Sequence, residues 1–341
     1  MIGRTSTYLI VLFAFNLTAC QNFVEVVTQA GDSNLGWPLP PTPARLQYEE
    51  QIDINQRMSA YVGLATGSKN IQLIRPYRVS AFMNLMAIVD YERGSAYVFD
   101  RFRNTVNTLE YNNGNQLVAV KDIAIDDLRR VYLIDSLKGQ VAIFQDNGKL
   151  IRQFGSALLW TNPDRLAVDV IQQRVYVADS FQGRVYVFSL SGVFLYMFGE
   201  RGNRDSDRGR FSNMSDLDVD MEGNLYILES TARRIQKFDS HGTWLQTIKL
   251  DKQHFREPVA IEVENKDAIY IADRGLSQII VLDKTGEKLL SIGGLGRGRG
   301  KYDDLTDISF DQYKQRLFTA ETGSPRIQVI RRTPNEWFPY P

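Results

Sequence analysis

Six acidic residues recur at the ends of short apolar runs: Asp90, Asp135, Asp179, Glu229, Asp273 and Glu321. Carboxylates at equivalent places of a closed repeat would form a ring. There they could bind a cation or serve as general acids and bases. A structural role competes with that chemistry. Each acid can accept backbone N–H bonds in the tight turn that follows, as an Asx turn does. Six symmetric copies suit a need present in every repeat, so these acids are expected to cap turns. His241 and His254 are the only imidazoles, one in a turn before Gly242 and one near Arg256 and Glu257, and both read as surface residues. Two histidines and one cysteine do not supply a zinc or non-haem iron ligand set, so no metal is expected. There is no Gly-x-Ser-x-Gly elbow, and no catalytic residue or cofactor is assigned. Residues 293–300, Gly-Gly-Leu-Gly-Arg-Gly-Arg-Gly, lack the Lys-Ser/Thr of a phosphate loop and no helical pattern follows them.

The positions of the acids are set by a repeat. Val131-Tyr-Leu-Ile-Asp135, Val175-Tyr-Val-Ala-Asp179, Leu225-Tyr-Ile-Leu-Glu229, Ile269-Tyr-Ile-Ala-Asp273 and Leu317-Phe-Thr-Ala-Glu321 are versions of one strand, with a weaker first copy at Met86-Ala-Ile-Val-Asp90. The acids are spaced by 45, 44, 50, 44 and 48 residues. Nine residues after each stands a large apolar residue: Phe99, Phe144, Phe188, Phe238, Leu282 and Ile330. Turns at Asn147-Gly148, Ser191-Gly192, His241-Gly242 and Thr285-Gly286 lead into a further strand, and an apolar stretch such as Val259-Ala-Ile-Glu-Val263 precedes each acid strand. Four strands in a period of about 46 residues are a propeller blade. The sixth repeat stops at Thr333-Pro334 without an outer strand, while residues 45–52 read as an orphan strand. The expectation is therefore an all-β, six-bladed β-propeller over residues 45–341. Its four-stranded antiparallel blades would be closed by that N-terminal strand, which completes the last blade and hides a sheet edge.

The N-terminal region reads as an address. Arg4 precedes an apolar run of about ten residues, too short to span a bilayer but suited to a signal-peptide core. Leu17-Thr-Ala-Cys20 resembles a bacterial lipobox and holds the only cysteine. The resemblance implies a signal peptide over 1–19 and diacylation of Cys20. With Gln21 rather than Asp next, it implies an outer-membrane lipoprotein. More than one acyl chain would anchor the protein stably. Residues 20–44, with Trp37-Pro-Leu-Pro-Pro-Thr-Pro43, are expected to be an extended tether. The alternative is an ordered arm laid along the domain and anchored by Trp37.

Tyr176-Val-Ala-Asp-Ser180 with Gly183-Arg-Val-Tyr-Val-Phe188 resembles the NHL repeat, as does Phe198-Gly-Glu-Arg-Gly202 leading through Gly209-Arg-Phe211. The resemblance runs over roughly 45–332 and extends to lipid-anchored six-bladed NHL-type proteins of Gram-negative bacteria. It implies the fold and leaves function open, because propellers host both binding proteins and enzymes. Six-bladed enzymes of the gluconolactonase and peptide-amidating lyase families resemble this fold and surround a central metal with Glu, Asn, Asp or His. No asymmetric inner-strand Asn, Glu or His set is legible here. A metal-dependent, lactonase-like hydrolase or lyase is accordingly the alternative function.

The composition is 43% hydrophobic and 23% charged, which is that of a globular protein. Forty basic residues balance forty acidic ones, which excludes a nucleic-acid coat driven by net charge. No nucleic acid is expected as a partner. Arginine is nevertheless concentrated in one set of loops. The inter-blade connections hold Arg201, Arg204, Arg208, Arg210, Arg297, Arg299 and Lys301, and the hairpins between second and third strands hold Arg93, Lys138, Arg184, Arg233, Arg234, Arg274 and Arg326. In a propeller both sets open on one face. Arginine forks suit carboxylates and phosphates, so this face is expected to dock an envelope protein or an anionic polymer. The expected assembly is a monomeric propeller scaffolding a larger complex.

Overall fold

The computed structural model describes residues 27–30, 35–37, 45–53, 73–103, 105–111, 117, 119–202, 208–264 and 268–333, and among them every regular element is a β-strand. Blade one contains Pro76–Phe82, Leu85–Asp90, Ser95–Asp100 and Thr105–Thr108; blade two, Val120–Ile125, Val131–Asp135, Gln140–Phe144 and Leu150–Phe154. Blade three contains Pro163–Asp169, Arg174–Asp179, Arg184–Ser189 and Phe194–Phe198; blade four, Asp216–Val219, Leu225–Glu229, Arg234–Phe238 and Trp244–Lys249. Blade five contains Pro258–Val263, Ile269–Asp273, Gln278–Leu282 and Lys288–Gly293. Blade six has three strands late in the chain, Leu305–Asp311, Arg316–Glu321 and Arg326–Arg332, and its outer strand is Leu46–Asp53.

All pairings within the blades are antiparallel, and in blades one to five the strands run in chain order from the channel outward. Each inner strand touches the next, and the sixth returns to the first, so the ring is closed. The second strands are buried along their whole length, as at Val131–Asp135 and Ile269–Asp273, or for all but a first half-buried arginine, because a neighbouring blade covers each face. That is why they read as continuous apolar runs rather than alternating ones. The outer strand Phe194–Phe198 is mostly exposed. Six apolar clusters lie between successive blades. The residues nine after each acid are all buried in them. Phe188, for example, has its ring 4.9 Å from Phe154 and 5.6 Å from Trp160. The turn glycines serve the same packing. Gly242 has φ +79°, and a Cβ there would come within 2.8 Å of the Phe198 ring in the preceding blade.

The closing strand alternates buried Leu46, Tyr48 and Ile52 with more exposed residues. Glu49 accepts from Arg316 Nε at 2.8 Å, Glu50 pairs with Arg101 of blade one, and the Thr333 N–H donates to the Arg45 carbonyl at 2.8 Å. The expected closure therefore ties both chain ends and two blades together.

The tether expectation is corrected for part of its length. Val27–Ala30 and Gly36–Trp37 both pair with the closing strand, and Trp37 is buried against Gly300 in the cluster between blades five and six. Burying the indole and satisfying an open sheet edge favours this arm over a free one. The signal peptide over 1–19 and Cys20 lie outside the described residues.

Candidate functional site

The six strand acids are all fully buried. Asp90 accepts from the Ile74 N–H at 2.7 Å and the Glu92 N–H at 3.2 Å. Asp179 accepts from Thr161, Asn162 and Gln182 N–H groups at 2.6–3.0 Å, and Asp273 from Arg256, Glu257 and Leu276 at 2.7–3.0 Å. Asp135 accepts from the Tyr111 hydroxyl at 2.8 Å and the Lys138 N–H at 3.2 Å. Three of these carboxylates therefore hold the loop entering their blade as well as the turn leaving the acid strand, which the sequence pattern alone did not reveal.

The two glutamates differ in kind. Glu229 accepts from the Ser212 N–H at 3.0 Å, Arg234 Nε at 2.6 Å and Gln236 Nε2 at 2.9 Å. Arg234 and Gln236 also donate to the Arg210 carbonyl, and Gln236 Oε1 accepts from the Gly209 N–H. Blade six repeats the device. Glu321 accepts from the Asp303 N–H, Arg326 Nε and Gln328 Nε2 at 2.7–2.9 Å, while Arg326 donates to the Arg297 and Lys301 carbonyls at 2.6 Å. Gln328 accepts from the Gly300 N–H at 2.8 Å. These clamps occur in the two blades reached by the longest acid-to-acid spacings, 50 and 48 residues. The longer glutamate leaves room for an arginine and a glutamine, which bind backbone groups of the longer entry loop.

This geometry corrects two of the proposed partner-binding residues. Arg234 and Arg326 are 3% and 5% exposed with their guanidinium groups committed to the clamps, so they cannot meet a partner. Among the others, Arg201, Arg208, Arg210, Arg274, Arg297, Arg299 and Lys301 are exposed, and Arg184 and Arg233 are half-buried. Arg208 lies 4.0 Å over the Trp244 ring, Arg210 pairs with Glu200 at 3.1 Å, Arg297 with Asp303 at 2.7 Å, and Arg274 with Glu257. Arg299 is exposed and has no ion-pair partner among the described residues. Arg204 lies outside them.

The inner strands carry a site that the sequence pattern missed. In register opposite the residue before each strand acid stand Arg78, Asp122, Arg165, Asp216, Ala260 and Asp307. The aspartates of blades two, four and six accept from the inner strand of the next blade: Asp122 from Leu166, Asp216 from Ile261 and Asp307 from Val79, at 2.8–2.9 Å. Arg78, 2% exposed, reaches across the axis, 2.9 Å from Asp307, 3.7 Å from Asp122 and 3.8 Å from Asp216. Burial opposes its charge, but the three carboxylates outweigh that and hold its pKa above the usual value. Arg78 plugs the channel.

The plug separates two unlike mouths. On the arginine-loop face a polar recess of about 210 Å³ is lined by Tyr77, Arg78, Arg165, Ser215, Glu257 and Arg274, among others. On the opposite face, where first and second strands join, a funnel of about 360 Å³ opens. Two residues beyond the plug ring stand Ser80, Ala124, Ala167, Asp218, Glu262 and Ser309, so the funnel carries an asymmetric carboxylate pair from blades four and five. Asp218 accepts from the Val263 N–H at 2.6 Å. Burial, with the charge of Asp220, pushes the Asp218 carboxyl up to about 7; burial and Asp218 itself push Glu262 well above the usual range. The expectation of no asymmetric inner-strand Asn, Glu or His is therefore corrected for Glu262, which Asp218 joins. Aligning the inner strands on the repeat acids would have exposed both residues. Among the described residues no group of three or more His, Cys, Asp or Glu side chains could hold a metal ion. His241 occupies its predicted turn, and exposed His254 lies 3.9 Å from Asp251.

No curated protein matches the sequence. Residues 162–256 match the family DUF5128, described as a 6-bladed beta-propeller. Among solved structures the chain is similar to a structural genomics protein of unknown function from Bacteroides thetaiotaomicron VPI-5482, with 14% identity and a TM-score of 0.60 over 76% of this chain and 70% of that one. It is also similar to the virginiamycin B lyase of Staphylococcus aureus, with 12% identity and a TM-score of 0.56 over 76% and 96% of the two chains. Hydrazine synthase of Kuenenia stuttgartiensis gives 11% identity and a TM-score of 0.55 over 78% and 97%. Their shared content is the fold: this chain is a six-bladed β-propeller.

Proposed function

We propose that this protein is a binding and scaffolding module of the cell envelope whose arginine-loop face docks an anionic partner, either an envelope protein or an acidic polymer. One observation carries the reading: the two long arginine-bearing loops are held by buried Glu–Arg–Gln clamps. Without such ties, long glycine-containing loops would lose conformational entropy on binding. The clamps hold the backbone at Gly209, Arg210 and Ser212 and at Arg297, Gly300, Lys301 and Asp303 in the free protein, so Arg208, Arg297, Arg299 and Lys301 would be presented at little further cost. The clamped arginines spend their own charges internally, which leaves only the exposed ones to face a partner. The lipobox-like run ending in Cys20 supports attachment to the outer membrane through acyl chains.

The test is capture from detergent-solubilised envelopes with the full-length protein and with an Arg208→Ser, Arg297→Ser, Arg299→Ser variant, washed at low and high salt. The reading expects a stoichiometric partner retained by the native protein at low salt, released at high salt, and lost by the variant at unchanged melting temperature. A partner held equally by both proteins, or resistant to salt, contradicts it. Incorporation of a labelled fatty acid that depends on Cys20 tests the anchor separately.

A further inference from the structure

The funnel on the face opposite the arginine loops is a second, independent site, and we infer that it binds an organic cation: an ammonium group carried on an apolar body. Its charge is one-sided. Nine lining residues are acids, Asp218 and Glu262 among them, and no lysine, arginine or histidine lines it, although Lys237 and Lys284 lie 3.5 and 3.9 Å from the lining Asp220. Arg78 lies beneath the floor and is committed to Asp122, Asp216 and Asp307. Asp218 and Glu262 have no such counter-ion. Two further lining carboxylates, Asp169 and Asp311, are 2% and 1% exposed, and each has one oxygen, Oδ2, without a hydrogen-bond partner. For Asp311 the cause is visible. In blades two, four and five a tyrosine hydroxyl bonds the equivalent acid, Tyr132 to Asp126, Tyr226 to Asp220 and Tyr270 to Glu264, at 3.0–3.1 Å. Blade six has Phe318 at that place.

Part of the wall and rim is apolar. Phe82 and Tyr313 meet edge to face at 5.3 Å beside Phe310, and Ile171 and Met221 stand half-exposed on neighbouring hairpins. A volume of about 360 Å³ lies in the range of small-molecule pockets, roughly 300–1,000 Å³. An ammonium group set beside Asp218 and Glu262 would neutralise two neighbouring half-buried carboxylates, and an aromatic or alkyl body would cover the Phe82 and Tyr313 surface. Aromatic faces add attraction for the cation. A bare metal ion would gain nothing from these walls, and the described acids do not converge on one.

The shared chemistry, ammonium on an apolar stem, occurs in free amines and in lysine side chains of a partner. Titration calorimetry of the full chain with phenethylamine, phenethyl alcohol and a blocked lysine peptide separates these sources. The amine should bind once per chain and the isosteric alcohol at least tenfold more weakly. Tighter binding of phenethylamine than of the peptide assigns a free amine, and the reverse order assigns a partner lysine. The double variant Asp218→Asn, Glu262→Gln should lose at least tenfold in amine affinity. The native protein gives a second readout that needs no variant: its amine affinity should rise between pH 6 and 8 as Asp218 ionises. Equal binding of amine and alcohol, undiminished binding by the double variant, or no amine binding at pH 8 would overturn the inference. The arginine-loop variant should bind the amine normally, so failure here and failure of the docking face are distinguishable.

Discussion

The two mouths of the channel are built from the same six inner strands yet do opposite things with charge. At the strand beginnings, arginines predominate and the surrounding loops are clamped. At the strand ends, the funnel is acidic and its rim is apolar. Arg78 is the boundary, facing the polar recess while its charge is consumed by carboxylates that belong to the other side. A net charge of zero thus conceals a molecule polarised along its axis, and each mouth suits a ligand that the other would repel.

The largest expected effect comes from removing the boundary. Arg78→Met leaves Asp122, Asp216 and Asp307 facing one another without a counter-charge, and should destabilise the fold by about 3–5 kcal/mol at pH 7. Urea denaturation checks this. A loss under 1 kcal/mol would mean that the plug does not couple the mouths. Next is a clamp. Arg326→Met strands buried Glu321 and frees the 293–301 backbone, at a cost of about 2–4 kcal/mol. Faster hydrogen exchange should be confined to that loop, with the funnel unchanged.

The acidic mouth has a pH signature of the opposite sign to an ordinary salt bridge. The folded-state pKa of Asp218 is raised to about 7, so the folded protein holds a proton that the unfolded chain has released above about pH 4. Stability from this group is present at low pH and falls as pH rises from about 4 to 7. Asp218→Asn keeps an acceptor for the Val263 N–H, and should raise stability at pH 8 by about 1–2 kcal/mol and flatten that decline. Thermal melts at pH 5 and pH 8 would show it. A destabilised variant at pH 8 would contradict the assignment.

How much of this was legible in the sequence depends on the kind of constraint. The acid strands and the buried residue nine positions later repeat because every blade meets two neighbours, so blade number, strand order and the closing strand at 46–53 could be read directly. The clamps were half-legible: Glu229 and Glu321 share a Glu-x4-Arg-Ile-Gln pattern that the other blades lack, but their arginines look like surface charge until burial is known. The channel pair was not found, because Asp218 and Glu262 come from different blades and break the repeat. For Trp37 the sequence leaves a free tether and an ordered arm both open, because its pocket, against Gly300, lies more than 260 residues away.

The smallest effect on stability should be the largest on binding. Arg208, Arg297 and Arg299 are exposed, and changing all three to Ser should shift stability by no more than about 0.5 kcal/mol per site. Retention on a polyglutamate surface, measured across a salt series for the native protein, this triple variant and Asp218→Asn, Glu262→Gln, tests the docking face most directly. The account predicts salt-sensitive binding by the native protein and by the funnel variant, with the triple variant weakened at least tenfold. Equal binding by the native protein and the triple variant would contradict it.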